Sequence, residues 1–204
     1  MADFTYEFEN RKTPLETYEW DNAWIEQTNT LDKKHVMYVG DSISCMTRHV
    51  ATKLSNNTLL FDGFGTSKGV DNAYFFSSLK LFIDQQVRRD AIIFNNGLHG
   101  WHLSDDEYEF YYEKLVKNLL DTYLDTPLFI VLTTSVTDKE RDEIVARRNE
   151  RALKIAKKYN LPVIDLFTVS KENKNLITDG VHFENAGYEL FAKKIISVIN
   201  DYIK

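Results

Sequence analysis

Cysteine and proline are scarce in this sequence, and each shortage excludes a class of structure. The 204 residues include a single cysteine, Cys45, which excludes an internal disulfide framework and a multi-cysteine metal site. With three prolines and eight glycines, no Pro- or Gly-rich linker marks a domain boundary. No stretch approaches the roughly 20 apolar residues that a membrane-spanning helix needs. We therefore expect one domain and no membrane partner.

Positive charge is also in short supply. The chain carries 25 Lys and Arg against 31 Asp and Glu, a formal net charge of −6. Because nucleic-acid binding relies on clustered Lys and Arg, this balance argues against nucleic acid as a partner. Residues 1–7 are polar and acidic and show neither the basic start nor the apolar run of a signal peptide. The sequence thus predicts a cytoplasmic location.

Hydrophobic residues, in contrast, are plentiful. They make up 43% of the chain, and 13% of the chain is aromatic, which excludes disorder as the main state. Residues 1–34 lack a clear period, and we interpret them as an N-terminal extension whose aromatics pack on the main domain, residues 35–204. These aromatics are Tyr6, Phe8, Tyr18, Trp20 and Trp24.

Short apolar runs alternate with helical patterns from residue 35 onward. Strands are predicted at 35–40, 58–61, 91–94, 127–132 and 161–167. Helices are predicted at 44–54, 71–87, 104–124, 138–159 and 184–203. Continuous apolar strands separated by helices indicate an α/β fold with three α/β/α layers and a five-stranded parallel sheet. Ligands of such sheets bind beyond the carboxyl ends of the strands, so chemistry is expected after residues 39, 62, 95 and 133.

The first reactive side chain stands at one of these positions. Gly40-Asp41-Ser42 follows the first predicted strand and opens a helix. A serine on such a turn exposes its hydroxyl at the sheet edge, and the helix N-terminus offers N–H groups to what the serine attacks. Taken alone, however, Gly-Asp-Ser more often supplies a helix cap.

A second group of reactive residues precedes the last helix. Asp179 lies three residues before His182, with Gly180 between them. If the chain turns at the glycine, the carboxylate lies beside the imidazole, as a Ser–His–Asp relay requires. Alone, this spacing is more often a surface turn, but both groups fall where the sheet places an active site.

These residues resemble the GDSL/SGNH hydrolases, a family of serine esterases and acyl hydrolases with a flavodoxin-like α/β/α fold. Gly40-Asp41-Ser42 is similar to the first sequence block of the family, and Asp179-Gly180-Val181-His182 is similar to its last block. The resemblance covers residues 35–203. It implies that Ser42 is the nucleophile, His182 the general base and Asp179 its orienting partner.

The resemblance is weaker at the oxyanion hole. Where the family reads Gly-x-Asn-Asp, this chain reads Asn95-Asn96-Gly97-Leu98-His99, which places His99 in the asparagine position. A neutral imidazole N–H can replace the amide as a donor, and Asn95 or Asn96 is the alternative. The other predicted donors are the backbone N–H groups of Ser42 and Gly69. Asp41, Trp101 and Phe183 are the predicted substrate-binding residues.

Three other patterns suggest different chemistry. Gly65-Thr66-Ser67-Lys68-Gly69 matches the nucleophile elbow of α/β-hydrolases, with Ser67 as nucleophile, but too few strands precede it. Gly63 and Gly65 fail the spacing of a dinucleotide-binding loop. His99 and His102 have no Cys or carboxylate cluster beside them, so we predict no metal site.

The predicted function is hydrolysis of small acyl esters through an acyl-enzyme on Ser42, a reaction that needs no cofactor. On family analogy the first candidate substrate is an O-acetylated carbohydrate. Two alternatives remain open, a non-catalytic carbohydrate-binding module on the same fold and an acyltransferase that uses a sugar as acceptor.

Overall fold

A six-stranded sheet runs through the centre of the computed structural model, which describes residues 14–203. The strands are β1 (Asp21–Trp24), β2 (Lys34–Gly40), β3 (Leu59–Thr66), β4 (Ala91–Phe94), β5 (Leu128–Val131) and β6 (Val163–Ile164). Their order is β1-β3-β2-β4-β5-β6, with β2 to β6 parallel and β1 antiparallel to β3. The five-stranded parallel sheet predicted from the sequence is confirmed, and its order is that of flavodoxin-like folds.

Within residues 14–203, six α-helices cover the two faces of this sheet. They are α1 (Ser42–Leu54), α2 (Phe75–Ile83), α3 (Asp105–Thr122), α4 (Lys139–Lys158), α5 (Leu166–Glu172) and α6 (Asn185–Tyr202). Alternate residues of β2 point to opposite faces: Val36 and Tyr38 belong to a core shared with α1 and α6, whereas Met37 and Val39 belong to a core shared with α2, α3 and α4. This arrangement confirms the three-layer α/β/α architecture.

Strand β3 is longer than predicted, because its glycines lie inside the strand and do not end it. A Cβ atom added to Gly63 would lie 2.3 Å from Nη1 of Arg48, and one added to Gly65 would lie 2.2 Å from Sγ of Cys45. The two glycines therefore leave room for helix α1 to lie directly on β3. This close packing fixes the start of α1, where Ser42 stands.

The N-terminal segment contributes the sixth strand. Strand β1 pairs with the outer edge of β3, from Asp21 opposite Thr66 to Trp24 opposite Gly63. Among the predicted aromatics of this segment, Trp20 is partly buried, and the Trp24 ring, although 49% exposed, meets the His49 ring edge-on with centroids 5.6 Å apart. Tyr18 is 81% exposed, so the predicted packing is wrong for this residue. Backbone pairing also holds this segment. Tyr6 and Phe8 lie outside the described residues.

Two further predicted elements are much shorter in the structure. The predicted strand 161–167 is reduced to β6, because the Asp165 side chain accepts a hydrogen bond from the Thr168 backbone N–H (2.9 Å) and caps α5. The predicted helix 71–87 is reduced to α2, which a turn at Asn72 precedes. Among the helices within residues 14–203, none is long and apolar enough to cross a membrane.

Candidate active site

Ser42 stands at the junction between the central strand and the first helix. Strand β2 ends at Gly40, Asp41 caps the helix and Ser42 is its first residue. One carboxylate oxygen of Asp41 accepts a hydrogen bond from the Ile43 backbone N–H at 2.9 Å. Ser42 is partly exposed, whereas its neighbours Asp41 and Ile43 are buried. The turn thus presents one hydroxyl at the carboxyl edge of the sheet.

The loop before α6 brings a histidine and a carboxylate to this hydroxyl. Nε2 of His182 lies 2.8 Å from Oγ of Ser42, and Nδ1 of His182 lies 2.7 Å from Oδ2 of Asp179. The other oxygen of Asp179 accepts hydrogen bonds from the backbone N–H groups of His182 (2.8 Å) and Val181 (3.1 Å). Gly180 makes the turn between them at a φ of +98°, a conformation that L side chains rarely adopt. The three residues predicted to act together are therefore in contact.

This hydrogen-bond chain fixes the charge of Asp179 and the tautomer of His182. The hydrogen bonds from the backbone and side chain of His182 lower the pKa of Asp179 to about 2. Because an ionised carboxylate only accepts, Nδ1 of His182 carries the hydrogen in this contact. In the neutral ring, Nε2 then has a free lone pair directed at the Ser42 hydroxyl. This arrangement can accept the serine proton.

Two hollows meet at Ser42 and His182. One, of about 380 Å³, is mostly apolar and is lined by Trp20, Asn22, Ser42, Cys45, Met46, His182, Phe183 and Tyr188. The other, of about 210 Å³, is lined by Ser42, Leu98, His99, Trp101, Arg141, Asp179, Val181 and His182. A larger hollow of about 500 Å³ lies against α3, and neither Ser42 nor His182 lines it. Two separate hollows therefore border the serine and the histidine.

The predicted substrate-binding residues fall in different places. Trp101 lines the smaller of the two hollows at Ser42, and Phe183, although only 5% exposed, lines the other. Asp41 is 1% exposed and caps α1, so the prediction that it binds substrate is wrong. Burial raises the pKa of Asp41, and one of its oxygens lacks a hydrogen-bond partner among the described residues.

The predicted oxyanion donors also lie in different surroundings. His99 shares the smaller hollow with Ser42, as an oxyanion donor must. Asn96 is completely buried and its side-chain amide donates to the carbonyl of Lys68 at 2.9 Å, so its assignment to the oxyanion hole is wrong. The amide of Asn95 is likewise engaged, donating to the carbonyl of Val131 at 2.9 Å. Gly69 packs against Gly100, the residue that follows His99.

A buried arginine shapes the loop that carries His99. The guanidinium of Arg148 donates to the carbonyls of Gly97 (2.9 Å), His99 (2.8 Å) and Gly100 (2.6 Å). Arg148 is 1% exposed, and desolvation lowers its pKa. Three backbone acceptors thus replace the water that this buried cation has lost.

Sequence reasoning missed several residues that border the site. Met46 lies one helical turn after Ser42, a spacing that could have placed it in the same hollow. Trp20 and Glu16 approach from the N-terminal segment, for which no periodic pattern predicted a contact with the site.

The other reactive side chains considered in the sequence, those of Ser67, His102 and Cys45, do not form a second site. The hydroxyl of Ser67 accepts from the Trp20 backbone N–H (2.8 Å) and lies 3.1 Å from Oε2 of Glu19, so it does not form a nucleophile elbow. Nε2 of His102 lies 2.8 Å from Oδ2 of Asp71. Burial raises the pKa of the Cys45 thiol, which favours its uncharged form. Across residues 14–203, no group of three or more His, Cys, Asp or Glu side chains is placed to hold a metal ion.

Fold and site together define a three-layer α/β/α protein with a serine, a histidine and an aspartate in contact at the carboxyl edge of its sheet. No protein-family model matches the sequence, and no curated protein matches it significantly. Many solved structures, in contrast, share its fold.

Three of these structures indicate the class of fold. A lipolytic protein of the G-D-S-L family from Veillonella parvula is 20% identical with a TM-score of 0.68, over 82% of this chain and 98% of that one. An acetyl xylan esterase is 18% identical with a TM-score of 0.62, over 81% and 99% of the two chains. The C-terminal catalytic domain of peptidoglycan O-acetyltransferase A from Streptococcus pneumoniae is 18% identical with a TM-score of 0.65, over 83% and 94%.

The chain therefore has the fold of the GDSL/SGNH hydrolases, and the resemblance drawn from the Gly40-Asp41-Ser42 and Asp179–His182 motifs is confirmed at the level of the fold.

Proposed function

We propose that this protein is a serine acyl-ester hydrolase that forms an acyl-enzyme on Ser42. The observation that carries the proposal is the continuous chain from Ser42 Oγ through His182 (2.8 Å) to Asp179 (2.7 Å). This is the arrangement in which a weak nucleophile gains a positioned base and the base gains an orienting partner.

In the first half of the proposed reaction, His182 Nε2 takes the Ser42 proton while Oγ attacks the carbonyl carbon of the ester. The carbonyl oxygen becomes an oxyanion, which the Ser42 and Gly69 backbone N–H groups and the His99 ring are proposed to stabilise. When the tetrahedral intermediate collapses, the bond to the alcohol oxygen breaks and His182 returns its proton to that oxygen. The alcohol leaves, and the acyl group stays on Ser42.

In the second half, water takes the place of the alcohol. His182 removes a proton from the water, the resulting oxygen attacks the acyl carbon, and the Ser42 oxygen leaves with the proton from His182. The carboxylic acid is released and the serine is restored. Asp179 stays ionised throughout, because its pKa of about 2 is far below neutral pH.

An O-acetylated carbohydrate is our proposed substrate. Two solved proteins with this fold, an acetyl xylan esterase and the catalytic domain of a peptidoglycan O-acetyltransferase, support this choice. The smaller hollow, with Trp101 and Arg141 at its wall, supplies polar and aromatic groups suited to a sugar.

The test is hydrolysis of p-nitrophenyl esters of increasing acyl length together with acetate release from acetylated xylan. We expect the acetyl ester to be the best of the series and Ser42→Ala to abolish turnover. Equal activity of wild type and Ser42→Ala would contradict the proposal. Binding of acetylated sugar without turnover would instead favour a non-catalytic carbohydrate-binding module.

The similarity to a peptidoglycan O-acetyltransferase domain favours a second candidate function, transfer of the acyl group to a sugar hydroxyl. Transfer uses the same acyl-enzyme and differs only in the acceptor. Mass spectrometry of a reaction that contains an acetyl donor and a xylo-oligosaccharide separates the two, since transfer adds one acetyl group to the acceptor and hydrolysis yields free acetate only.

A further inference from the structure

Helix α4 brings an arginine to the smaller of the two hollows at Ser42. Arg141, in the first turn of that helix, lines this hollow together with Ser42, His182 and Trp101. Its guanidinium carbon lies over the Trp101 ring, 5.0 Å from the ring centre. Because a cation is attracted to the electrons of an indole face, the ring orients the guanidinium. One wall of the hollow is therefore an aromatic ring with a positive charge beside it.

The Trp101 ring is itself held in place from behind. It packs on the core that β2 shares with α1 and α6, and the buried guanidinium of Arg148 lies 5.1 Å from its centre. The hydrogen bonds of Arg148 to three carbonyls of the loop after β4 fix that guanidinium in turn. The ring is thus a firm support on which Arg141 rests.

Within residues 14–203, no carboxylate pairs with the Arg141 side chain, which is exposed. The next residue, Asp142, pairs with Lys174 at 2.7 Å, and Arg147, further along the helix, has its own partner in Asp105 at 2.8 Å. The position of Arg141 does not serve the helix either, because a positive charge in the first turn opposes the helix dipole. The N–H donors of this guanidinium are therefore available to a ligand.

The charges around the hollow favour a ligand group with one negative charge. Among the described residues that line it, Arg141 alone has a permanent positive charge, and Asp179 is the carboxylate. The charge of Asp179 is already compensated by hydrogen bonds from the His182 ring and from two backbone N–H groups. A carboxylate can accept two parallel hydrogen bonds from one guanidinium, whereas a doubly charged phosphate would keep an uncompensated charge near Asp179.

We propose that Arg141 is a specificity-determining residue that binds a carboxylate on the alcohol part of the ester, so that the substrate is an O-acylated acidic sugar, a uronic acid. This inference rests on the proposed function and narrows its substrate class. The Trp101 ring packs against the sugar, the guanidinium binds the carboxylate, and the ester carbonyl lies at Ser42. The net charge of −6 does not oppose this binding, because the substrate meets the local charge of the hollow.

Two substrates that differ only in this charge test the proposal, the fully O-acetylated methyl glycoside of glucuronic acid and its carboxamide. We expect kcat/KM for acetate release to be about tenfold higher for the acid, the size of effect that one hydrogen bond to a charged group produces. Arg141→Gln should bring the ratio of the two values to within about twofold of one. Arg141→Lys, which keeps the charge but loses the planar fork, should keep part of the ratio. Added sodium chloride should lower the wild-type ratio.

The matched control is Arg147→Gln, which alters an arginine of the same helix that does not line the hollow; its ratio should equal that of wild type. A wild-type ratio near one, an unchanged ratio in Arg141→Gln, or no acetate release from either sugar would overturn the inference. A higher kcat/KM for the sugar with a phosphate in place of the carboxylate would overturn it as well. Labelling of wild type by a fluorophosphonate separates the two levels. If Ser42 is labelled, such a result removes this inference alone; if Ser42 is not labelled, the proposed function fails.

Discussion

At the residue scale, the proposed chemistry depends on which nitrogen of His182 carries a proton. Asp179 accepts three hydrogen bonds, two from backbone N–H groups and one from the His182 ring. The backbone pair orients the carboxylate, and the carboxylate in turn selects the Nδ1–H tautomer. Asp179 therefore contributes by orientation and charge, and it need not exchange a proton itself.

Substitution of Asp179 by asparagine tests this role. We expect Asp179→Asn to lower kcat about 10³- to 10⁴-fold, because the amide can donate to Nδ1 and so select the wrong tautomer, as the equivalent change does in serine proteases. The Asp179 side chain is 59% exposed, so the melting temperature should change little. Steady-state kinetics and thermal unfolding measure the two effects; a kcat within tenfold of wild type would contradict the assignment.

The serine and the Asp–His pair could be predicted from the sequence because each is a local feature, a turn after a strand and two residues three apart. The proposed oxyanion donors could not be predicted in the same way. Whether Asn96 or His99 faces the cleft depends on hydrogen bonds to distant residues, with the Asn96 amide drawn to the Lys68 carbonyl and the loop held by Arg148. The spacing of residues along the sequence does not indicate these long-range contacts.

At the element scale, helix α4 supports the loop after β4 through Arg148. The sequence predicted this helix well, since its charged and apolar faces alternate regularly and Asp138 caps it. The buried arginine on its inner face looks, in the sequence, like any other charge of this helix. Its function as a support for the His99 loop is visible only in the structure.

Replacing this arginine tests the support. We expect Arg148→Met to lower the free energy of unfolding by about 3 kcal/mol or more, because buried carbonyls of Gly97, His99 and Gly100 lose their donor. Activity should fall as well, since His99 is on that loop. Arg147→Met is the matched control: its exposed ion pair with Asp105 should be worth less than about 1 kcal/mol. Urea unfolding measures both, and equal effects would argue against a supporting role.

At the scale of the whole molecule, the N-terminal segment is tied to the sheet by a buried pair. Nδ1 of His35 lies 3.0 Å from Oδ2 of Asp62, and Nε2 lies 3.1 Å from the carbonyl of Thr30. The other oxygen of Asp62 accepts from the Glu26 backbone N–H at 2.7 Å. Strands β2 and β3 thus share polar contacts with the segment that carries β1.

The pair makes stability depend on pH. The hydrogen bond to Asp62 raises the pKa of His35. A raised pKa in the folded state gives stability that is complete below the unfolded value of about 6.5 and is lost as the pH rises through the folded value. We expect the urea midpoint of wild type to fall between about pH 6 and pH 8 more steeply than that of His35→Gln. Burial lowers the pKa of His49, so its contribution has the opposite sign and is common to both proteins. Parallel slopes would contradict the prediction.

The parallel sheet could be anticipated from the alternation of strands and helices, and its flavodoxin-like arrangement from the family resemblance, but strand β1 could not. Its four residues, Asp21–Trp24, are all exposed and show no apolar alternation. They form a strand because the edge of β3 offers unpaired backbone groups. Because pairing with β3 determines this strand, the sequence of β1 alone does not predict it.

The central claim is that Ser42 becomes covalently modified during turnover, and active-site labelling tests it most directly. A fluorophosphonate probe followed by peptide mapping should place one adduct on Ser42, with no adduct in Ser42→Ala. Ser67→Ala, which alters the serine of the nucleophile-elbow pattern, should still be labelled at Ser42. An adduct on Ser67, or equal labelling of wild type and Ser42→Ala, would contradict the account.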